Sequence, residues 1–253
     1  MTSAGPDSSY WDEIGQHWPS VQRPELWRLH SDAVNRGLLQ DWWPKRAVDS
    51  VLKTDLFDEV VGEGLMPFLD RRSKDCHGLD ISPKIAQLAS QRYAGVMCTA
   101  GDVRELPFAS NCFDLVVSNS TLDHFHSSAE IDRSLLELFR IMAPGATLVI
   151  TMDNPVNPVL AVRARLPDSW LRAMSASPYF IGVTLGKGAL CRALQQAGFV
   201  VRDTRFISHY PRVLATHGRH GKNGRDNMES SRKRVKKMSR WEKMARWPSA
   251  RFS

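Results

Sequence analysis

Several features that would assign this sequence quickly are missing from it. No apolar run approaches the roughly 18 residues that cross a bilayer. No basic-then-apolar leader precedes the polar stretch 1–10, so the N-terminus does not read as a secretion signal and a cytoplasmic protein is expected. Cysteine is sparse: Cys76, Cys98, Cys112 and Cys191 form neither a CxxC pair nor a zinc-ligand spacing. They read as free thiols in a reducing compartment, and no metal site is expected. There is no internal repeat.

What is present fits a folded soluble body. Hydrophobic residues make up 42% and charged residues 24% of the 253 positions, a balance that supports a packed core and argues against wholesale disorder. The net charge is +7, and its placement matters more than its size. Residues 218–253 hold 12 Lys/Arg against 3 Asp/Glu, whereas residues 1–217 hold 22 against 24. The body is slightly acidic and only the tail is basic. Three segments follow: a tryptophan-rich helical segment over 1–45, an α/β domain over 46–217 and a basic tail over 218–253.

The first segment carries Trp11, Trp18, Trp27, Trp42 and Trp43, with a helix expected over 25–39. These tryptophans read either as core anchors or as a lid whose flat apolar walls suit a ring or lipid-like molecule. Strands and helices then alternate. Strands are expected over 48–55, 76–80, 96–99, 113–119 and 146–153, with a sixth over 199–209. Helices are expected over 64–70, from Pro83 after a Ser82 cap, over 128–142 and over 184–197. Pro144-Gly145 is expected to stop the third of these. This alternation indicates an α/β fold with a mainly parallel, doubly wound sheet.

In such a sheet ligands bind at the carboxyl ends of the strands. Strand one ends in Asp55, followed by Gly62 and Gly64, which let backbone approach a ligand closely. Strand two ends in Asp80, where a carboxylate can accept both hydroxyl hydrogen bonds of a ribose, or can simply end the strand beside the helix cap. Asp102 follows strand three and can accept from an adenine amino group, or can serve as a turn residue. Ser118 and Asn119 end strand four. Their joint placement favours a nucleoside-containing ligand.

With those residues stated, the sequence resembles the class I S-adenosylmethionine-dependent methyltransferases, in particular the small-molecule group that includes the ubiquinone and menaquinone biosynthesis enzymes. The resemblance rests on GLDIS at 78–82, GDVRELPF at 101–108, FDLVVSNSTLDHF at 113–125 and LLELFRIMAPGATLVIT at 135–151. It covers residues 47–153, with a weaker echo in LCRALQQAGFVV at 190–201. It implies a Rossmann-like fold and S-adenosyl-L-methionine as cofactor. Asp80, with Ile81 beside it, would bind the ribose; Asp102 and the Val103 backbone would meet the adenine; Asp55 would face the methionine end; Ser118 and Asn119 would line the floor near the sulfonium. The family pattern of an acidic residue followed by three glycines at alternate positions is not kept here. Gly62 and Gly64 come late, after the acidic Asp58 and Glu59, which would complement a cationic cofactor.

Methyl transfer from a sulfonium is catalysed mainly by positioning and desolvation, so a base is needed only where the acceptor must lose a proton. Asp123 and His124, just beyond strand four, are the candidates. The expected activity is methyl transfer to a small, apolar or ring-containing acceptor. Two alternatives stand beside it: an RNA methyltransferase that holds RNA with the basic tail, and an inactive methyltransferase-like binding protein. In the tail, Val235, Met238, Trp241, Met244 and Trp247 recur every third residue among basic residues. It reads first as a segment packed on the domain, next as a peripheral contact with an anionic membrane surface, and last as a nucleic-acid contact. The final antiparallel strand usual in the resembling family is not recognisable before Ser253.

Overall fold

The apolar heptapeptide FDLVVSN forms β4 (Phe113–Asn119), and nearly every side chain in it is buried. A strand enclosed on both faces needs strands on both sides and helices above and below. The computed structural model, which describes residues 8–17, 25–155, 180 and 182–207, supplies both. In chain order the elements are α1 (Ser8–His17), α2 (Glu25–Trp42), β1 (Ser50–Thr54), α3 (Phe57–Val61), α4 (Met66–Asp70), β2 (Asp75–Asp80), α5 (Pro83–Arg92), β3 (Met97–Ala100), β4, a 3-10 turn (Leu122–His124), α6 (Ser128–Ile141), β5 (Met142–Thr151) and α7 (Lys187–Gln196).

The five strands are all parallel, in the order β3-β2-β1-β4-β5. Alternate residues of each strand feed two cores. Val51, Leu115, Val117 and Val149 join Leu39, Leu69, Ile85 and Ala89 on one face. Leu52, Leu79, Val116 and Phe113 join Ile131, Leu135, Leu138 and Leu194 on the other. Every β-strand therefore ends at one edge, and β1 and β4, adjacent but distant in sequence, bring their tips together there.

Local sequence explains the helix starts. Ser82 caps α5, accepting from the Ile85 N–H, with Pro83 in the first turn. Ser127 and Glu130 form a reciprocal capping box that starts α6. Gly198, at φ +103, takes the left-handed position after α7.

Three expectations are corrected. α1 and α3 were not anticipated, α3 because its five residues are too short for a helical period to register. The strand after α6 begins at Met142, not Ala146. Its register shifts between Phe113 and Leu115, so the Pro144-Gly145 pair lies in an irregularity of β5. The sixth strand is not formed in the described residues 199–207. There the Phe199 N–H bonds back to the Leu194 carbonyl of α7. Further along, Asp203 accepts from the Trp42 indole and Arg205 pairs with Asp41, so side chains tie the segment to the end of α2 where a ladder would require backbone. The basic tail lies outside the described residues. No described helix is long and apolar enough to cross a membrane.

Leu135 is fully enclosed between α6 and the sheet. Leu135→Ala is expected to cost about 2–5 kcal/mol, read as a lower urea midpoint at unchanged slope.

Candidate functional site

β1 carries a lysine, Lys53, in the middle of a buried strand, at 1% exposure. A buried ammonium requires a partner. Glu59 of α3, with no exposed surface, meets it at 2.9 Å, and Lys53 Nζ also donates to the Asp55 carbonyl oxygen. Burial alone would lower the lysine, but Glu59, Asp55 and Asp58 around it hold it protonated above the ordinary range. Glu59 uses its second oxygen to accept from the Leu65 N–H at 2.9 Å. The pair thus pins both ends of the segment following β1.

Asp55 follows β1 with φ +98, a left-handed conformation that a non-glycine residue rarely adopts. Its Oδ1 accepts from the Phe57 N–H at 2.8 Å. Asp55 keeps some exposed surface yet is enclosed closely enough that desolvation, reinforced by Asp80 and Asp58, pushes its carboxyl well above the usual range despite Lys53. Asp80 ends β2 beside it. One oxygen accepts from the Leu56 N–H at 2.9 Å, the other from the Ser82 N–H at 2.8 Å. Burial raises it to about 6. Ile81 continues into the α5 cap.

The structure gathers Asp55 and Asp80 at one edge and gives other sequence candidates protein partners. Asp102 accepts from Arg104, and Arg104 also reaches Glu130. Val103 is buried in the α6-side core. Ser118 accepts from Thr54 Oγ1 at 3.0 Å, and Thr121 bonds the Thr54 carbonyl, so hydroxyls tie the tips of β1 and β4. Asn119 Oδ1 accepts from Thr151 at 2.7 Å. Gly62 and Gly64 approach protein closely. A Cβ on Gly62 would touch the Asp58 carbonyl and Arg28; one on Gly64, at φ +62, would collide with the Glu59 side chain.

Helix α2 grips this same loop. Arg28 pairs with Asp58 at 3.3 Å, the Gly64 N–H donates to Asp32 at 3.2 Å, and Arg36 approaches Glu63 at 3.8 Å. Burial, then Asp58 and Glu59, raise Asp32 to about 7. Helix α1 covers the neighbouring edge: the Ser82 hydroxyl and the Lys84 N–H both donate to Asp12. None of these helical contacts was legible in sequence. A lysine inside an otherwise apolar strand was the one available signal for the Lys53–Glu59 pair.

Beyond β4 the 3-10 turn presents Asp123 and His124. Asp123 is buried; Oδ2 accepts from the Asp153 N–H at 3.1 Å, and among the described residues no donor is hydrogen-bonded to Oδ1. His124 Nε2 lies 3.8 Å from that oxygen. Desolvation raises the Asp123 carboxyl, His124 opposing and Asp153 adding to the shift. His124 Nδ1 bonds the Phe180 carbonyl at 2.8 Å. A carbonyl only accepts, so Nδ1 carries a hydrogen, and in the neutral ring Nε2 is the acceptor nitrogen. The Phe180 N–H donates to the Tyr10 hydroxyl, and the Gly182 N–H to the Asp123 carbonyl. A Cβ on Gly182 would collide with the Phe125 backbone oxygen, so this crossing needs glycine. Trp11 stands edge-on to His124 at 4.9 Å and to Phe57 at 6.5 Å. Trp11 is therefore at the site, whereas Trp42 and Trp43 pack on the core.

Residues 60–150 match the methyltransferase domain family. Over these residues the chain is similar to class I S-adenosylmethionine-dependent methyltransferases. The chain is 31% identical over 121 residues to the demethylmenaquinone methyltransferase of Thermobifida fusca, covering 45% of this chain and 50% of that one. It is 35% identical over 103 residues to the uncharacterized protein YafE of Escherichia coli, covering 40% and 43%. The match thus spans half or less of these relatives' own lengths. A methyltransferase structure from Thermotoga maritima superposes with TM-score 0.54 at 16% identity, covering 76% of this chain and 83% of that one. One from Bacillus halodurans gives 0.50 at 19%, covering 65% and 68%. The cofactor of this domain family is S-adenosylmethionine, and the donor set fits it. Two carboxylates at adjacent strand tips, oriented by backbone N–H groups, suit ribose hydroxyls and a cationic tail.

Lys53→Met is expected to cost about 3–5 kcal/mol in denaturant unfolding because it strands the Glu59 charge, and the double replacement with Glu59→Gln should recover much of that. For Asp32 the raised value means that the folded state binds more protons than the unfolded chain between about pH 4 and 7. Stability attributable to this group therefore falls as pH rises through that window. Asp32→Asn should melt above the parent at pH 8, with the gain vanishing near pH 4.

Proposed function

We propose that this chain transfers the methyl group of S-adenosylmethionine to a small, ring-containing acceptor whose nucleophilic atom gives up a proton. The observation that carries the reading is the Asp123–His124 pair, set beside the β4 tip at the same sheet edge as Asp55 and Asp80. When bound, S-adenosylmethionine supplies an electrophilic methyl group on a sulfonium. Asp80 accepts the ribose hydroxyls, its remaining lone pairs directed by the Leu56 and Ser82 amides. Asp55 faces the methionine end. Asp102 and Val103 lie toward the adenine, and Ser118 and Asn119 support the floor beneath the reacting centre.

His124 does the proton work. Phe180 holds its ring by Nδ1, and Nε2, 3.8 Å from Asp123 Oδ1, is the nitrogen proposed to take the acceptor's proton. Asp123 stabilises the imidazolium that forms. Trp11 and Phe57 present apolar ring surface next to this pair, which favours a flat acceptor and excludes water.

Calorimetry with S-adenosylmethionine tests the first step, and no binding at millimolar cofactor defeats the proposal. Asp80→Ala should weaken cofactor binding at least tenfold. His124→Ala should leave that affinity within about twofold while lowering S-adenosylhomocysteine release, across a panel of small ring-containing acceptors, by roughly 10²–10⁴. Unchanged turnover in His124→Ala would remove the base assignment.

A further inference from the structure

The family pattern places glycines at alternate positions after its acidic residue, whereas here Asp55 is followed by Leu56, Phe57, Asp58 and Glu59. The turn carries acidic side chains at Asp55, Asp58 and Glu59 before its first glycine, Gly62. Four carboxylates converge on the segment, from Asp55, Asp58, Glu59 and Asp80. Lys53 is engaged by Glu59 at 2.9 Å and by the Asp55 carbonyl. Arg28 is paired with Asp58 at 3.3 Å. Among the described residues, Asp55 and Asp80 are hydrogen-bonded only to backbone N–H groups, of Phe57 and of Leu56 and Ser82. Each strand tip therefore offers a carboxylate held in place by the main chain, with no side-chain cation of the described residues hydrogen-bonded to it.

We propose that this acid-rich turn makes the cofactor site discriminate by charge, holding the sulfonium S-adenosylmethionine more tightly than its thioether product S-adenosylhomocysteine. The two ligands share adenine, ribose, ammonium and carboxylate. They differ by one methyl group and one positive charge at sulfur. Contacts to the shared parts contribute equally to both, so the difference in affinity reports the field at the β1 and β2 tips. In a partly enclosed site that field is screened far less than in water. A glycine turn has no side chains and contributes no such field. The consequence is weak product retention, which keeps the site open for the next cofactor. This inference rests on the cofactor reading above and adds a preference that the reading does not require.

The Asp80 carboxyl, raised to about 6, gives the preference a pH signature. The groups facing it are Lys53 and Asp55 of the β1 tip, Glu59 of α3 and, through the Ser82 hydroxyl, Asp12 of α1. A cationic ligand favours the ionised carboxylate, so the discrimination is largest above pH 7 and shrinks toward pH 5.

The test is calorimetry of the full chain with each ligand separately at pH 7.5, with no acceptor present. The expected dissociation constant for S-adenosylhomocysteine is at least tenfold higher than for S-adenosylmethionine, narrowing at pH 5.5. Asp55→Asn tolerates the same left-handed backbone and should bring the ratio at pH 7.5 to within about threefold. Asp58→Asn, on the more exposed side of α3, should narrow it in the same direction and decides the matter if Asp55→Asn does not fold. Equal affinities in the parent, or a ratio unmoved by both variants, overturn the charge preference and leave the cofactor reading standing. Failure of both ligands to bind overturns the two together.

Discussion

The site depends on a buried ion pair. Lys53 and Glu59 have almost no contact with solvent, and each would be costly there alone. Together they allow α3 to close directly onto the tip of β1. Glu59 holds the Leu65 amide, which fixes where α4 begins, and it fills the open side of Gly64. Lys53 holds the Asp55 carbonyl, which stabilises the left-handed turn aiming the Asp55 carboxyl at the sheet edge. A glycine-rich turn is defined by what is absent from it. This one is defined by side chains, and its shape follows from where their charges can be satisfied.

Around that pair the N-terminal helices act as an outer brace. Arg28, Asp32 and Arg36 all lie along α2 and meet the loop at Asp58, Gly64 and Glu63. Asp12 of α1 meets the α5 cap, and Tyr10 and Trp11 meet the crossing at Phe180 and His124. The α5 cap beside Asp80 and the turn carrying His124 thus both meet α1. The tryptophans divide the same way: Trp11 is placed at the reacting edge, while Trp42 and Trp43 anchor α2 to the core.

Much of the framework was legible because its causes are local. β4 reads as a doubly buried strand from seven consecutive residues, and its bounds were recovered without error. The Ser82-Pro83 start of α5 and the Ser127 start of α6 follow from capping chemistry within a single turn. The bounds of β5 were misplaced because Pro-Gly ordinarily ends an element, whereas here a register shift against β4 absorbs it. The expected sixth strand failed for a similar reason. Its apolar start is real, but Asp203 and Arg205 found partners on α2, and side chains tie the described stretch there.

The sequence by itself determined the alternating α/β order, the parallel sheet and the acidic residues at the strand tips. Periodicity, caps and turns act between near neighbours and leave their mark in composition. How each of those acids is held was decided only by tertiary structure. Asp102 and Asp80 look alike in sequence, yet Arg104 occupies one while backbone amides alone hold the other. Lys53 and Glu59, six residues apart, become a single buried unit, and His124 acquires its tautomer from a carbonyl 56 residues away. Charge and protonation depend on desolvation and on partners brought from distant segments, and those exist only once the chain has folded.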